Sequence, residues 1–284
     1  MLNLITPYAS DFGKPSVLIK QFPDTESYVF IPKIKSLKNT RVRLYHRLYP
    51  EEDKRIFELL LLLSRLKKET RHIEIFVPYL PYARQDKEHR VGEVVSADIL
   101  CGLLKGFGVE KLITYDCHFL PKPGNFTRSG LKIENRSAGK LLLAHAKKFF
   151  KKEKFILISP DQGSSYFIEN ARGYALHKKR ERTDGYHDKN IKSEVHLKDS
   201  EIDVKGKNIC IMDDIIATGG TILKAIAHLK DRGAKKIIVG ATHGVFCADK
   251  IIERILASSC DEIFVTNSIL CEEKSIKTVK LPKS

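Results

Sequence analysis

The run Asn208-Ile209-Cys210-Ile211-Met212-Asp213-Asp214-Ile215-Ile216-Ala217-Thr218-Gly219-Gly220-Thr221 decides the fold of this chain. Its apolar start, 208–212, predicts a buried strand, and the apolar spacing of residues 222–230 predicts a helix. Between them lie an acidic turn and a Thr/Gly loop. Strand, loop and helix in that order form the repeating unit of α/β sheets. A loop so placed turns its amides and hydroxyls toward the positive end of a helix, where phosphate binds. Asp213 and Asp214 can accept hydrogen bonds from sugar hydroxyls or hold a metal that bridges to them. Together these features suit a ribose phosphate. The plainer alternative is a helix start capped by Thr218 or Thr221, with two turn glycines.

With 284 residues, 42% of them apolar, the chain is long enough for two ordinary domains with substantial cores. No apolar run is long enough to span a bilayer: Leu59 to Leu63 is bounded by Glu58 and Arg65. The first residues lack the basic start and long apolar segment of a secretory signal. Six cysteines without C-x-x-C pairing read as buried reduced thiols, so a cytoplasmic location is expected. The formal net charge of +15 raises nucleic acid as a partner. The cations are dispersed over amphipathic helices, however, and no aromatic RNA-reading pattern accompanies them. The basic exterior is expected to serve small polyphosphate substrates or merely solubility, with no specific nucleic acid and no membrane as partner.

A shift of 125 residues lays Leu104, Lys105, Gly108, Lys111, Ile113 and His118 onto Leu229, Lys230, Gly233, Lys236, Ile238 and His243. Both segments read as helix, Gly turn, strand and a His at the strand end, as expected of a duplicated βα unit. Predicted strands cover residues 17–19, 41–45, 73–77, 112–115, 155–158, 209–212, 237–240 and 262–266. Predicted helices cover 53–68, 96–107, 137–150, 221–232 and 248–258, with Ser96 and Ser137 as N-caps and Gly108 and Gly233 as stops. The fold class is α/β, mainly parallel, in two similar domains, 1–137 and 138–284, with the last residues free to return to the first domain.

Other polar clusters sit at predicted strand ends, where open α/β sheets bind ligands. Tyr82-Ala83-Arg84-Gln85-Asp86 follows one strand; Arg84 offers a planar fork for phosphate oxygens. Asp116-Cys117-His118 ends the next, and Ser159-Pro160-Asp161-Gln162-Gly163 follows a third. The charge run from Lys178 to Arg182 precedes a polar, Gly-containing stretch suited to a lid. Near the start, Phe22, Asp24 and Glu26 alternate as on an extended segment, offering an aromatic plate beside two acceptors that would suit adenine. Taken alone, these clusters read as surface loops or a solvated face, His118 as a hydrogen-bonded structural residue and Phe22 as a core residue.

The loop ending at Thr221 resembles the phosphoribosyl diphosphate (PRPP) loop of type I phosphoribosyltransferases and ribose-phosphate pyrophosphokinases. With Arg84-Gln85-Asp86, Asp116-x-His118, Ser159-Pro160-Asp161 and Lys178-x-Arg180 in order, the chain is most similar to the pyrophosphokinases. Gly92-Glu93-x-x-Ser96 is similar to the shorter archaeal-type members. The resemblance implies two phosphoribosyltransferase-like domains and diphosphoryl transfer from Mg²⁺-ATP to ribose 5-phosphate, giving PRPP and AMP. It implies ATP binding by Phe22, Asp24, Glu26, Arg84, Gln85, Asp86 and His118, and metal contacts by His118 and Asp161. Lys178 and Arg180 become the catalytic cations, in a register that Lys179 and Arg182 could also supply. Asp213, Asp214, Ala217, Thr218, Gly219, Gly220 and Thr221 become the ribose 5-phosphate site. A homo-oligomer, at least a dimer, follows if the Phe22–Glu26 segment serves a neighbouring subunit. Departures from the pattern are Thr25 for a usual Gly, Ser164 for a second Gly, and Ala217 for an Asp. The alternatives are a PRPP-consuming phosphoribosyltransferase and a non-catalytic regulatory homologue.

Overall fold

The computed structural model describes residues 1–151, 153–160, 174–175, 177–180, 193–196 and 202–283. The chain divides into two units. One comprises Met1–Ser137 with the chain end from Pro282, the other Ala138–Leu281.

In chain order, the first unit contains β1 (Leu2–Ile5), β2 (Leu18–Gln21), β3 (Ser27–Phe30), β4 (Val42–Tyr45), helix α1 (Glu52–Leu66), β5 (Ile73–Phe76), helix α2 (Ser96–Gly106), β6 (Val109–Tyr115), β7 (Gly124–Arg128) and β8 (Leu131–Arg136). Its sheet runs β1-β4-β5-β6-β8-β7, parallel except for the β7–β8 hairpin. Strands β2 and β3 form a separate antiparallel hairpin. One face of the sheet carries Val42, Leu44, Ile73, Ile75, Leu112 and Ile133 into a core shared with the Leu59, Leu62, Leu63 and Leu66 stripe of α1.

The second unit contains α3 (Gly139–Phe149), β9 (Phe155–Ser159), β10 (Tyr174–Ala175), β11 (His177–Arg180), β12 (Ser193–His196), β13 (Asn208–Ile216), α4 (Gly220–Asp231), β14 (Lys236–Gly244), α5 (Ile251–Ala257), β15 (Glu262–Thr266) and β16 (Ile276–Val279). Its sheet, β10-β9-β13-β14-β15-β16, is parallel throughout, and β11 pairs antiparallel with β12. The succession β4-β5-β6-β8 in one unit matches β9-β13-β14-β15 in the other. Parallel strands need crossovers of this kind, so the alternating sequence pattern leads directly to these sheets.

Several local expectations change. Val95 and Ala138 occupy the N-cap positions of α2 and α3, neither with a side-chain capping bond, in place of Ser96 and Ser137. Gly233 does end α4: at φ 82° its amide donates to Lys230 O (2.8 Å) and the Ala234 amide to Leu229 O (3.0 Å). That paired closure needs a left-handed residue, which favours glycine. Of the cysteines, 101, 117, 210 and 260 are buried, 271 is half-buried and 247 is exposed; none of the six is in a disulfide. No helix among the described residues is long and apolar enough to cross a membrane.

Candidate active site

Asp213 and Asp214 do not form a turn. Strand β13 continues through them to Ile216, because its partner β14 continues alongside and pairs Asp213 with Ala241 and Ile215 with His243. Both aspartates are 8% exposed. Asp213 Oδ1 accepts the Asp214 amide at 2.9 Å, and Asp214 Oδ1 accepts the Ile215 amide at 2.8 Å. Each carboxylate is therefore steadied by the next amide.

Only residues 217–219 separate β13 from α4. Gly219 is the N-cap at φ 70°, in the left-handed region, with no side-chain capping bond; neither threonine caps the helix at that position. A Cβ at Gly219 would run into Ile251 of α5. Thr218 and Gly220 are exposed, while Ala217 and Thr221 are half-buried. The Ala217 carbonyl accepts the Cys247 amide (3.2 Å), anchoring the loop to the end of β14. The open first turn of α4 is thus presented beside two carboxylates, as an anion linked to a diol requires.

In the first unit the corresponding connection, β5 to α2, spans residues 77–95. Arg84 is exposed and makes no side-chain hydrogen bond among the described residues. Gln85 and Asp86 are half-buried: the Gln85 carbonyl accepts the Ala97 amide at 3.2 Å, and Arg128 donates to the Asp86 carbonyl. Glu93 ties the loop by accepting the His89 (2.9 Å) and Arg90 (3.2 Å) amides. Those bonds, the His89 amide first, hold its pKa below the usual carboxylate range against an opposing desolvation. His118 is exposed just beyond β6, after the buried Asp116, whose amide donates to Arg136 O at 2.8 Å.

Residues 22–26 form the turn of the β2–β3 hairpin, not an extended segment. Phe22 N donates to Glu26 O (2.8 Å) and Thr25 N to Phe22 O (2.9 Å); Asp24 Oδ1 accepts the Glu26 amide at 3.2 Å. Thr25 stands at φ 75°, a conformation costly for a β-branched residue. The turn therefore keeps its form without the usual glycine. Phe22 is 50% exposed and packs edge-on against Tyr28, so it is not a core residue.

The backbones of Lys178 and Arg180 lie in β11, paired with Val195 and Ser193. Asp161, Ser164, Arg182 and the polar stretch after it lie outside the described residues.

Comparison with known proteins accounts for both units. Residues 11–108 match the model of the N-terminal domain of ribose phosphate pyrophosphokinase. Residues 193–283 match the phosphoribosyl synthetase-associated domain. The chain is 32% identical over 271 residues to a ribose-phosphate pyrophosphokinase of Sulfurisphaera tokodaii, spanning 92% of this chain and 87% of that one. It is 36% identical over 255 residues to the one of Pyrococcus furiosus, spanning 89% and 86%. The chain belongs to the ribose-phosphate pyrophosphokinase family. The fold agrees: the crystal structure of phosphoribosylpyrophosphate synthetase from Mycobacterium smegmatis superposes with a TM-score of 0.79 at 24% identity, covering 98% of this chain and 94% of that one. The similarity to archaeal family members is thus present across most of the sequence.

Sequence reading missed a buried polar network at the carboxyl end of β4. His46 donates from Nε2 to Arg55 O (3.0 Å) and sets Nδ1 against Thr6 Oγ1 (3.2 Å). Full burial pushes its pKa down to about 3. Arg47, 1% exposed, binds Asp11 through both terminal nitrogens at 2.7 and 2.9 Å. The His-Arg pair directly after an apolar strand was the available signal.

Proposed function

We propose that this chain transfers the diphosphoryl group of ATP to ribose 5-phosphate, giving 5-phosphoribosyl 1-diphosphate and AMP. The observation that carries this reading is family membership over most of the chain, joined to the carboxylate pair and open helix start between Asp213 and Thr221. The 1-hydroxyl oxygen attacks the β-phosphorus and loses its proton. The bond from that phosphorus to the α,β-bridging oxygen breaks, and AMP leaves. Asp213 and Asp214 accept the ribose hydroxyls, and the amides and hydroxyls of 217–221 hold the 5-phosphate. Ala217 contributes backbone only.

Arg84, Gln85, Asp86 and His118 bind the ATP phosphates, while Phe22 stacks on the adenine whose amino group Asp24 and Glu26 accept. Lys178 and Arg180 neutralise charge on the transferring phosphoryl oxygens. Positioning and neutralisation supply most of the acceleration.

Mg²⁺ fits the donor set, since it favours oxygen ligands and commonly takes one or two protein carboxylates alongside substrate phosphates. Asp213 and Asp214 supply such oxygens, with Asp161 and His118 as further contacts. When bound it neutralises phosphate charge.

The hairpin exposes Leu18, Phe22, Tyr28 and Phe30, each between 40% and 50%. Such an apolar face calls for a covering partner, and we assign it to a second copy of the chain, giving at least a dimer. Cysteines outside any disulfide suit a cytoplasmic enzyme. An assay of AMP release dependent on ribose 5-phosphate tests the reaction; diphosphate release from PRPP with a nucleobase, and no AMP, would favour a phosphoribosyltransferase. A fully active monomer would refute the shared site.

A further inference from the structure

Helix α1 carries a charge on its buried stripe. Leu59, Leu62, Leu63 and Leu66 are fully buried, and Glu58, beginning the same stripe, is 1% exposed. A carboxylate in such surroundings is costly unless polar partners compensate. Its partners come from outside the apolar stripe. Ser27 Oγ donates to Glu58 Oε1 at 3.0 Å. The Tyr8 hydroxyl faces the same carboxylate: burial first, and then the Glu58 charge, push it up to about 12. Arg55 lies over the Tyr8 ring at 4.0 Å and donates to Tyr49 O at 2.8 Å. Glu58 Oε2 has no hydrogen-bond partner among the described residues, so the carboxylate is held by the Ser27 bond at Oε1 together with the Tyr8 hydroxyl that faces it.

Ser27 is the first residue of β3, immediately after the Phe22–Glu26 turn. The β2–β3 hairpin is a two-stranded sheet of its own, a form that holds itself poorly. Its inner side chains, Ile19 and Val29, pack on the core of the first unit, while its outer face is exposed. Apolar packing sets distance from the core but not the direction of the tip. Among the described residues, the Ser27–Glu58 bond is the only hydrogen bond from β2, the turn or β3 to the rest of the unit. The tip itself carries the unfavourable Thr25 conformation, which an untethered turn could relax.

We propose that Glu58 is a positioning residue which, through Ser27, fixes the hairpin tip for recognition of the ATP base; this rests on the adenine-binding reading of Phe22, Asp24 and Glu26. A buried carboxylate serves here where a neutral acceptor would not, because a hydroxyl bonds a charged acceptor more strongly and with firmer geometry. Packing alone would have left Leu or Met at residue 58.

Steady-state kinetics of Ser27→Ala, Ser27→Thr, Glu58→Gln and Phe22→Ala test the proposal, each with a melting temperature. Ser27→Ala is expected to raise KM for ATP about tenfold, the loss of one bond to a charged acceptor. Its kcat and KM for ribose 5-phosphate should stay within about twofold, and Ser27→Thr, which keeps the hydroxyl, should recover most of the loss. Glu58→Gln should fall between wild type and Ser27→Ala. If Ser27→Ala lowers the melting temperature while KM for ATP stays put, and Phe22→Ala still raises it, the bond is merely structural and the proposal fails alone. If Phe22→Ala also leaves KM for ATP unchanged, the hairpin reading fails and takes the proposal with it.

Discussion

The two units place the same strand succession under two different loops. In the second, β13 runs on through Asp213 to Ile216, and residues 217–219 turn directly into α4. In the first, β5 stops at Phe76, and residues 77–95 intervene before α2. The short loop starts α4 without a side-chain cap, directly after a strand end that carries two buried aspartates. The long loop brings Arg84 into solvent on a frame held by Glu93 and Arg128. One βα unit thus yields either a short, tightly held connection or a long, exposed one, which the proposed function assigns to the sugar phosphate and to ATP. Connector length and strand extension decide which.

The largest effect that would break this comparison is expected at Gly219. Gly219→Ala combines a left-handed backbone, about 1–2 kcal/mol, with a clash against Ile251, typically about 1–3 kcal/mol. Denaturant unfolding should show a loss of several kcal/mol. Gly92 is at φ 96° with no neighbour within 4 Å of where a Cβ would stand, so Gly92→Ala in the long loop should lose only about 1 kcal/mol. Equal losses would mean that the two loops are alike in rigidity.

Next in size is a pH effect confined to the first unit. His46 is neutral when folded, with a pKa of about 3, against about 6.5 when unfolded. Below the unfolded value only the unfolded chain takes up the proton, so stability falls as pH drops through that window, approaching about 1.4 kcal/mol per pH unit. Above it the term vanishes. His46→Gln should flatten this acid slope in denaturant titrations; an unchanged slope would assign acid sensitivity elsewhere.

Substrate selectivity sharpens the comparison further. Arg84→Ala should raise KM for ATP about tenfold, or about 1.4 kcal/mol, and leave ribose 5-phosphate nearly unaffected; Thr218→Ala should do the reverse. Parallel changes in both would undo the division of labour. The smallest effect concerns Thr25: Thr25→Gly should relieve the φ of 75° and stabilise the hairpin by about 1 kcal/mol, seen as a higher melting temperature.

Much of this was legible in the sequence because apolar runs and helical spacing report burial directly. The central strands, the five predicted helices and the place of the strand-to-helix connection at residues 217–219 follow from that pattern. Edge strands β1 and β16 escaped because each is short and half exposed. Strands β7 and β8 escaped because apolar residues mark them weakly: in β8 the inward positions are Leu131, Ile133 and the buried polar Asn135, alternating with charged Lys132, Glu134 and Arg136. The acidic turn became strand because a neighbour's pairing, not local chemistry, set where β13 ends. Glu58 escaped for a related reason: a charge on an apolar stripe is meaningful only once its distant partner, Ser27, is brought beside it.

The most direct test of the account is AMP formation by the purified chain with ATP and Mg²⁺, with and without ribose 5-phosphate. AMP and 5-phosphoribosyl 1-diphosphate should appear in equal amounts only when the sugar phosphate is present, and Asp213→Asn should abolish both. AMP release independent of the sugar phosphate, or none from a folded preparation, would contradict it.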